Sequence, residues 1–266
     1  MAAAAGVAGL AGCATKGTAY ATPSSSSAPS SPASASQPGS ATSLATAPTS
    51  TSGAVPTASM TPLPAAAGQL TGTGLESVLL PASFFPSGFA VSSSGPVTSG
   101  GTLTSGAASY PLGTVSCSDF VQHLGSTGFG ETAMAADSVV GSDQAYDQLV
   151  YQFATASAAA AFVSGIEPLA SRCGSFTAPA QSGSTATFSL KAAPGPAVAG
   201  RPSVELVQTG TVSGSAVTLD TLFSASGVDV FGASGVGLGT GAPTVPAKET
   251  IIYNLMQRQA AAALLG

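Results

Sequence analysis

The sequence predicts an α+β domain, an antiparallel sheet with two main helices packed on one face, preceded by a disordered linker. Three observations carry that expectation. Strand-like runs separated by turn residues follow one another from Thr185 to Phe231. Two segments, near 156–172 and from about 247 onward, place apolar residues at helical spacing. Ahead of both lies a long Ser/Thr/Ala/Pro stretch that has no periodicity and almost no charge.

Charge is scarce throughout. Of 266 residues only 6% are charged, with six Lys/Arg against eleven Asp/Glu and a net charge of −5. Soluble domains average about 25%. Single, scattered cations cannot neutralise a run of phosphates, so nucleic-acid binding is excluded as a reading. No polybasic or amphipathic membrane patch is present. No apolar run reaches the roughly 18–20 residues of a spanning helix.

Residues Ala2 to Gly12 are apolar or small without exception, which suits the core of a signal peptide. The stretch ends in Leu10-Ala11-Gly12-Cys13, which resembles the lipobox of bacterial lipoproteins. That resemblance implies diacylglyceryl transfer to the Cys13 sulfur, cleavage before it, and palmitate-type acylation of the new amino terminus. The expected address is the extracellular face of the cell membrane, with the lipid anchor as the membrane partner. A basic segment normally precedes such a core, whereas here Met1 runs straight into Ala2, so the true start is expected upstream. The alternative is an Ala-rich N-terminus with an incidental cysteine.

Three cysteines leave one odd. With Cys13 lipidated, Cys117 and Cys173 remain as a candidate disulfide, the bond of an oxidising compartment. Two free thiols are the alternative. The domain organisation is therefore a signal peptide over 1–12, a lipidated cysteine and linker over 13–73, and a folded domain over 74–266. The linker cannot bury enough apolar surface to offset its ordering entropy. About 60 such residues span roughly 40–45 Å, enough to lift a domain off a membrane.

The folded part opens on Leu75 to Leu80, an apolar segment meeting Pro81, followed by Phe84, Phe85 and Phe89 as a packing anchor. A short helix is expected from Cys117 to about Leu124, and strands over Glu131 to Val140 and Tyr146 to Phe153, the latter with Leu149, Tyr151 and Phe153 on one side. The clearest helix runs from Ala156 to Arg172. Thr155 is its N-cap, and Ala158, Ala161, Phe162, Gly165, Ile166 and Leu169 form its stripe. Pro168 is expected to kink or shorten the last turn.

Strands follow at Thr185 to Leu190, Ser203 to Thr211, Ala216 to Ser224 and Val228 to Phe231. Ser213-Gly214-Ser215 and Ser226-Gly227 read as hairpin turns. In the second run Val204, Leu206 and Gln208 alternate against Glu205, Val207 and Thr209. Gly232 to Gly241 reads as a loop. A final helix starts near Ala247, with Pro246 suiting its first turn and Ile251, Ile252, Leu255, Met256 and Gln259 along one face.

From Tyr151 through Phe162 a strand runs into an Ala-rich helix that ends in Arg172-Cys173. With Leu79-Leu80-Pro81 and Cys117 ahead of it, and strands and a helix behind, this order resembles the extracellular sensor domain of the mycobacterial kinase PknH. That domain also occurs in free-standing actinobacterial lipoproteins. The resemblance covers about 110 to 262, and the second cysteine pair of some members is missing here. It implies a twisted antiparallel sheet with packed helices, a cleft, and a ligand that the sequence does not identify.

Chemistry-bearing patterns are few. His123 is the one histidine, and no G-x-S-x-G elbow offers it a nucleophile. His123 and Asp119 supply two metal ligands at i, i+4, where zinc needs three or four. The glycines from Gly235 to Gly241 lack the spacing of a phosphate-binding loop. Asp137, Asp143 and Asp147 read as solvated turns rather than a calcium loop. Glu205 and Asp220 form a carboxylate pair only if their strands align. No catalytic residue, cofactor or metal is predicted. The expected function is a non-catalytic binding or sensor module for an envelope glycan, lipid or peptide. The alternative is a carrier of lipid or another hydrophobic ligand.

Overall fold

The computed structural model describes residues 70, 72–92, 97–100, 111–125, 128–141, 144–179, 185–212, 215–238 and 247–263. Cys13, the linker, Asp143, Pro246 and the glycines 239 and 241 lie outside them. The described residues belong to one unit.

Helix α1 (Gly72–Glu76) and a 3-10 turn (Ala82–Phe84) lead into two short strands, β1 (Ala90–Val91) and β2 (Val97–Gly100). Helix α2 (Cys117–His123) precedes the hairpin of β3 (Glu131–Val140) and β4 (Gln144–Phe153). After α3 (Ala156–Arg172) come β5 (Phe176–Pro179), β6 (Thr185–Pro194), β7 (Ser203–Val212), β8 (Ser215–Ser226) and β9 (Asp229–Leu238). Helix α4 (Lys248–Ala263) follows. The strands form one antiparallel sheet in the order β1-β3-β4-β9-β8-β7-β6-β5, and β2 also pairs with β3. The β3–β4 hairpin and the β6–β9 meander join where β4 meets β9, in register from Gln144↔Gly237 to Gln152↔Asp229.

The α+β class and the antiparallel sheet are as expected, but the two main helices do not share a face. Leu149, Tyr151 and Phe153 of β4 pack with Leu206, Leu219 and Phe223 beneath α3 and α2. Tyr146 and Val150 of the same strand point the other way, with Leu222, Phe231 and Ala233, beneath α1 and α4. The reason is visible in β8, where the consecutive residues Leu222 and Phe223 are both fully buried. A strand that is apolar on both sides needs cover on both sides.

The Thr155 side chain caps α3, accepting from the Ala158 N–H at 3.1 Å. The buried stripe is Ala159, Phe162, Val163, Ile166, Leu169 and Ala170, turned toward Val163 and Ala170 from the expected one. Phe162 sits at the centre of an aromatic group with Phe129, Tyr151, Phe153 and Phe223 at centroid distances of 5.5–5.9 Å. Gly165 is half-buried because Leu112 occupies the space its side chain would take, 3.0 Å from an added Cβ. The helix continues through Pro168 to Arg172 instead of stopping short, with the proline on its exposed side.

Two further expectations change. The segment from Gly232 is not a loop at its start: β9 pairs with β4 and β8 as far as Leu238. Gly232 is there for close approach, since a Cβ would come within 2.8 Å of the buried Leu149 side chain. The short strands β1, β2 and β5 were not anticipated, because two to four residues are too few to show alternation. In α4 the buried residues are Ile251, Ile252, Leu255, Met256 and Gln259, the face the spacing predicted.

Cys117 and Cys173 form a disulfide with Cα atoms 5.5 Å apart, tying the start of α2 to the end of α3. Arg172 reinforces the same junction by donating to the carbonyls of Leu112 and Val115. The bond closes a separation of 56 residues, worth about 4 kcal/mol on the chain-entropy model. Replacing both cysteines with serine should lower unfolding stability by about that amount. Urea titration of the variant beside the oxidised chain checks it; matching midpoints would contradict the assignment of stability to this link.

Candidate functional site

On the α4 face buried polar groups answer one another at several points, while Gln259 Oε1 has no partner. Gln148 makes a two-point clamp on Leu80: the Leu80 N–H donates to Oε1 and Nε2 donates to the Leu80 carbonyl, both at 2.8 Å. Asp229 is fully buried and accepts from Gln152 Nε2 at 3.0 Å and Gln259 Nε2 at 2.9 Å, so sheet and helix are joined through one carboxylate. Arg258 donates to the carbonyls of Ser77 and Val78 and holds α1's end against α4.

The strands of Glu205 and Asp220 do align, diagonally. Glu205 is opposite Leu222 and Asp220 opposite Val207. Lys248, in the first turn of α4, bridges both carboxylates. Burial is the main cause that raises Asp220, with the lysine opposing it. The pair is thus bridged by a cation that sequence reading did not single out. This cluster fastens α4.

His123 is the last residue of α2 and is half-buried. Asp119 serves the other end of that helix: its N–H donates to Ser116 Oγ at 3.0 Å and its carboxylate accepts from that hydroxyl at 2.7 Å. The two were considered as metal ligands, and the cap contacts account for Asp119. Among the described residues no group of three or more His, Cys, Asp or Glu is placed to hold a metal ion.

Asp137 and Asp147 are not in solvated turns. They lie within β3 and β4, and burial raises both carboxyls, Asp137 to about 6. Asp137 faces the α4 side with Gln148, its register partner. Asp147 faces the α3 side and accepts from Ser138 Oγ at 2.5 Å.

Asp147 begins the one extended polar feature of the α3 face. The register runs Ser138↔Asp147 between β3 and β4, Asp147↔Ser234 between β4 and β9, and Ser234↔Thr221 between β9 and β8. These four side chains form a row across the sheet. Thr221 and Ser234 share a hydrogen bond of 2.8 Å. The next row on this face contains Gln208 of β7, diagonal to Thr221 and set between Leu219 of β8 and Leu190 of β6. Gln208 is 3% exposed, and neither its Oε1 nor its Nε2 has a partner. The face is open at one end and closed at the other. Val140 is 37% exposed and Ser138, Ala145 and Asp147 are half-buried, whereas Ser234, Thr221 and Gln208 are buried. Sequence reading missed this row, except for one sign: Gln208 continues the apolar alternation of Val204 and Leu206.

The chain was compared with known proteins. No protein-family model matches it, and no curated protein does. Among solved structures it is similar to the extracellular domain of PknH from Mycobacterium tuberculosis, with 15% identity, a TM-score of 0.47, and coverage of 75% of this chain and 99% of that one. It is also similar to an uncharacterised protein from Mycobacterium smegmatis, with 13% identity, a TM-score of 0.33, and coverage of 69% and 93%.

Glu131, Asp137, Asp147, Asp220 and Asp229 are all raised, each chiefly by burial. For Asp229 the folded value is about 6 against an ordinary 3.8. The folded state thus binds the proton more tightly than the unfolded chain. Stability should be lowest above pH 6 and rise as pH falls from about 6 toward 4. Between pH 7.5 and pH 5 Asp229 alone should contribute about 1 kcal/mol. Urea midpoints of the wild type and of Asp229→Asn at those two pH values test this: the wild type should be more stable at pH 5, and the variant's difference should shrink by about that amount.

Proposed function

We propose that this is an exported, lipid-anchored domain that binds a ligand at the cell envelope without transforming it. The observation that carries the reading is the Gln208 amide, 3% exposed with neither polar atom paired, diagonal to a polar row of the α3 face that is half-exposed at Ser138 and Asp147, buried at Ser234 and Thr221, and bonded in pairs. Buried polar groups that pair with nothing in the fold are costly, by about 1–3 kcal/mol each. Ligand recognition is a function that repays such a cost. The disulfide supports an oxidising compartment. Cys13 supplies the anchor in this reading, and the segment that follows supplies reach.

The non-catalytic part of the reading rests on how the titratable groups are placed. His123 lies on α2 rather than on a strand of the row, Asp147 is the row's one carboxyl and is engaged by Ser138 Oγ, and Glu205, Asp220 and Asp229 are committed to holding α4. An acyl-chain carrier is the weaker reading, because a hydrocarbon tail laid over this face would leave both polar ends of the Gln208 amide unpaired.

Fractionation of cells that express the wild type and Cys13→Ser tests the anchor. The wild type should stay with membranes and take up a fatty-acid label. The variant should lose the label and leave the membrane fraction. Equal labelling of both would remove the lipoprotein reading.

A further inference from the structure

We propose that the α3 face holds a binding site for a neutral, polyhydroxylated ligand of the saccharide class, with Gln208 as its specificity-determining amide. This rests on the ligand-binding reading above and names the chemistry of that same site.

The argument begins with what the side chains offer. Ser138, Ser234 and Thr221 are hydroxyls, each able to donate and accept. They stand on adjacent strands of one row, together with Asp147. Gln208 adds an amide whose donor and acceptor are both unused in a position 3% exposed. A side-chain amide presents one acceptor and one donor side by side. A vicinal diol, or the amide of an N-acetyl group, presents the complementary pair. A site built to hydrogen-bond such a group rejects analogues that lack it, because its own polar atoms would then stay unpaired.

Charge narrows the class further. Among the described residues, the cations lie elsewhere or are committed. Lys248 and Arg258 belong to α4, Arg201 sits ahead of β7 in a bridge with Val198, and Lys191 alternates to the face opposite Leu190. Arg172 is on the α3 side but donates to the carbonyls of Leu112 and Val115. A phosphate, sulfate or carboxylate ligand would find no counter-charge beside Asp147. An alkyl chain would leave the Gln208 amide unpaired. A neutral ligand rich in hydroxyls meets neither objection.

A distinctive consequence separates this role from a structural one. An amide left unpaired inside the fold destabilises it, so Gln208→Leu should raise the melting temperature of the ligand-free chain by about 2–4 °C. The same change should weaken binding of a neutral glycan at least tenfold. Thr221→Val, close to the same shape and lacking only the hydroxyl, should also weaken binding while the chain stays folded.

The experiment screens the purified full chain on an array of neutral oligosaccharides, including N-acetylated ones, beside phospholipid vesicles and peptide pools. Hits are measured by calorimetry on the wild type and both variants. Glycan binding that fails in Gln208→Leu together with a raised melting temperature supports the proposal. A lowered melting temperature, or unchanged glycan affinity in both variants, overturns it. Binding of vesicles or peptides with no neutral glycan bound overturns the saccharide class and leaves the ligand-binding reading intact. A chain that binds none of the three probes overturns both.

Discussion

The constraint on which this fold depends is that its central strands are apolar on both sides. β4, β8 and β9 each send residues into both cores, as Tyr146 and Tyr151, Leu222 and Phe223, and Phe231 and Val230 illustrate. Neither face can be left to solvent, so the helices divide between them. α3 and α2 cover one face and are fastened to each other by the Cys117–Cys173 bond. α1 and α4 cover the other and are fastened by polar contacts through Asp229, Gln148, Lys248 and Arg258. The two faces use different fastenings because α2 and α3 lie within reach of one covalent link, while α4 must be recruited from the C-terminal end.

That difference has a consequence for where a ligand can be accommodated. On the α4 side, Asp229, Gln148 and Lys248 are paired across sheet and helix, and the Gln259 amide is tied to Asp229 through Nε2, with Oε1 unpaired. An extra molecule there would have to break contacts that hold α4 in place. On the α3 side the helices are held by the disulfide, the Arg172 contacts and aromatic packing around Phe162. Polar groups in the sheet beneath are not needed as fasteners. Gln208 and the hydroxyl row can therefore be spared for recognition.

Much of this was legible in the sequence, and what was not has physical reasons. The stripe of α4 and the cap of α3 could be read because both express a 3.6-residue period with a terminal signal such as Thr155. The Ser226-Gly227 hairpin turn could be read because Ser and Gly mark it, whereas residues 213 and 214 of the other expected turn lie outside the described residues. Helix placement could not, since alternation tells which residues share a face but not how many faces are covered. The row Ser138, Asp147, Ser234, Thr221 was invisible for another reason. Its members lie on four strands, and only the register brings them side by side. Lys248 escaped notice likewise, because its partners are 28 or more residues away along the chain.

The scarcity of charge explains both what motif reading found and what it missed. A chain with 6% charged residues has few groups able to act as acids, bases or metal ligands. Several of those few are used to hold helices. In the proposed reading, recognition falls to hydroxyls and amides, which have no signature spacing in sequence. Their signature is energetic: a polar group buried where the fold does not pair it. Gln208 meets that description while Gln148, also a buried glutamine, has both amide ends satisfied by Leu80. The contrast between these two residues, alike in chemistry and burial and opposite in satisfaction, is the reason the site is placed on the α3 face.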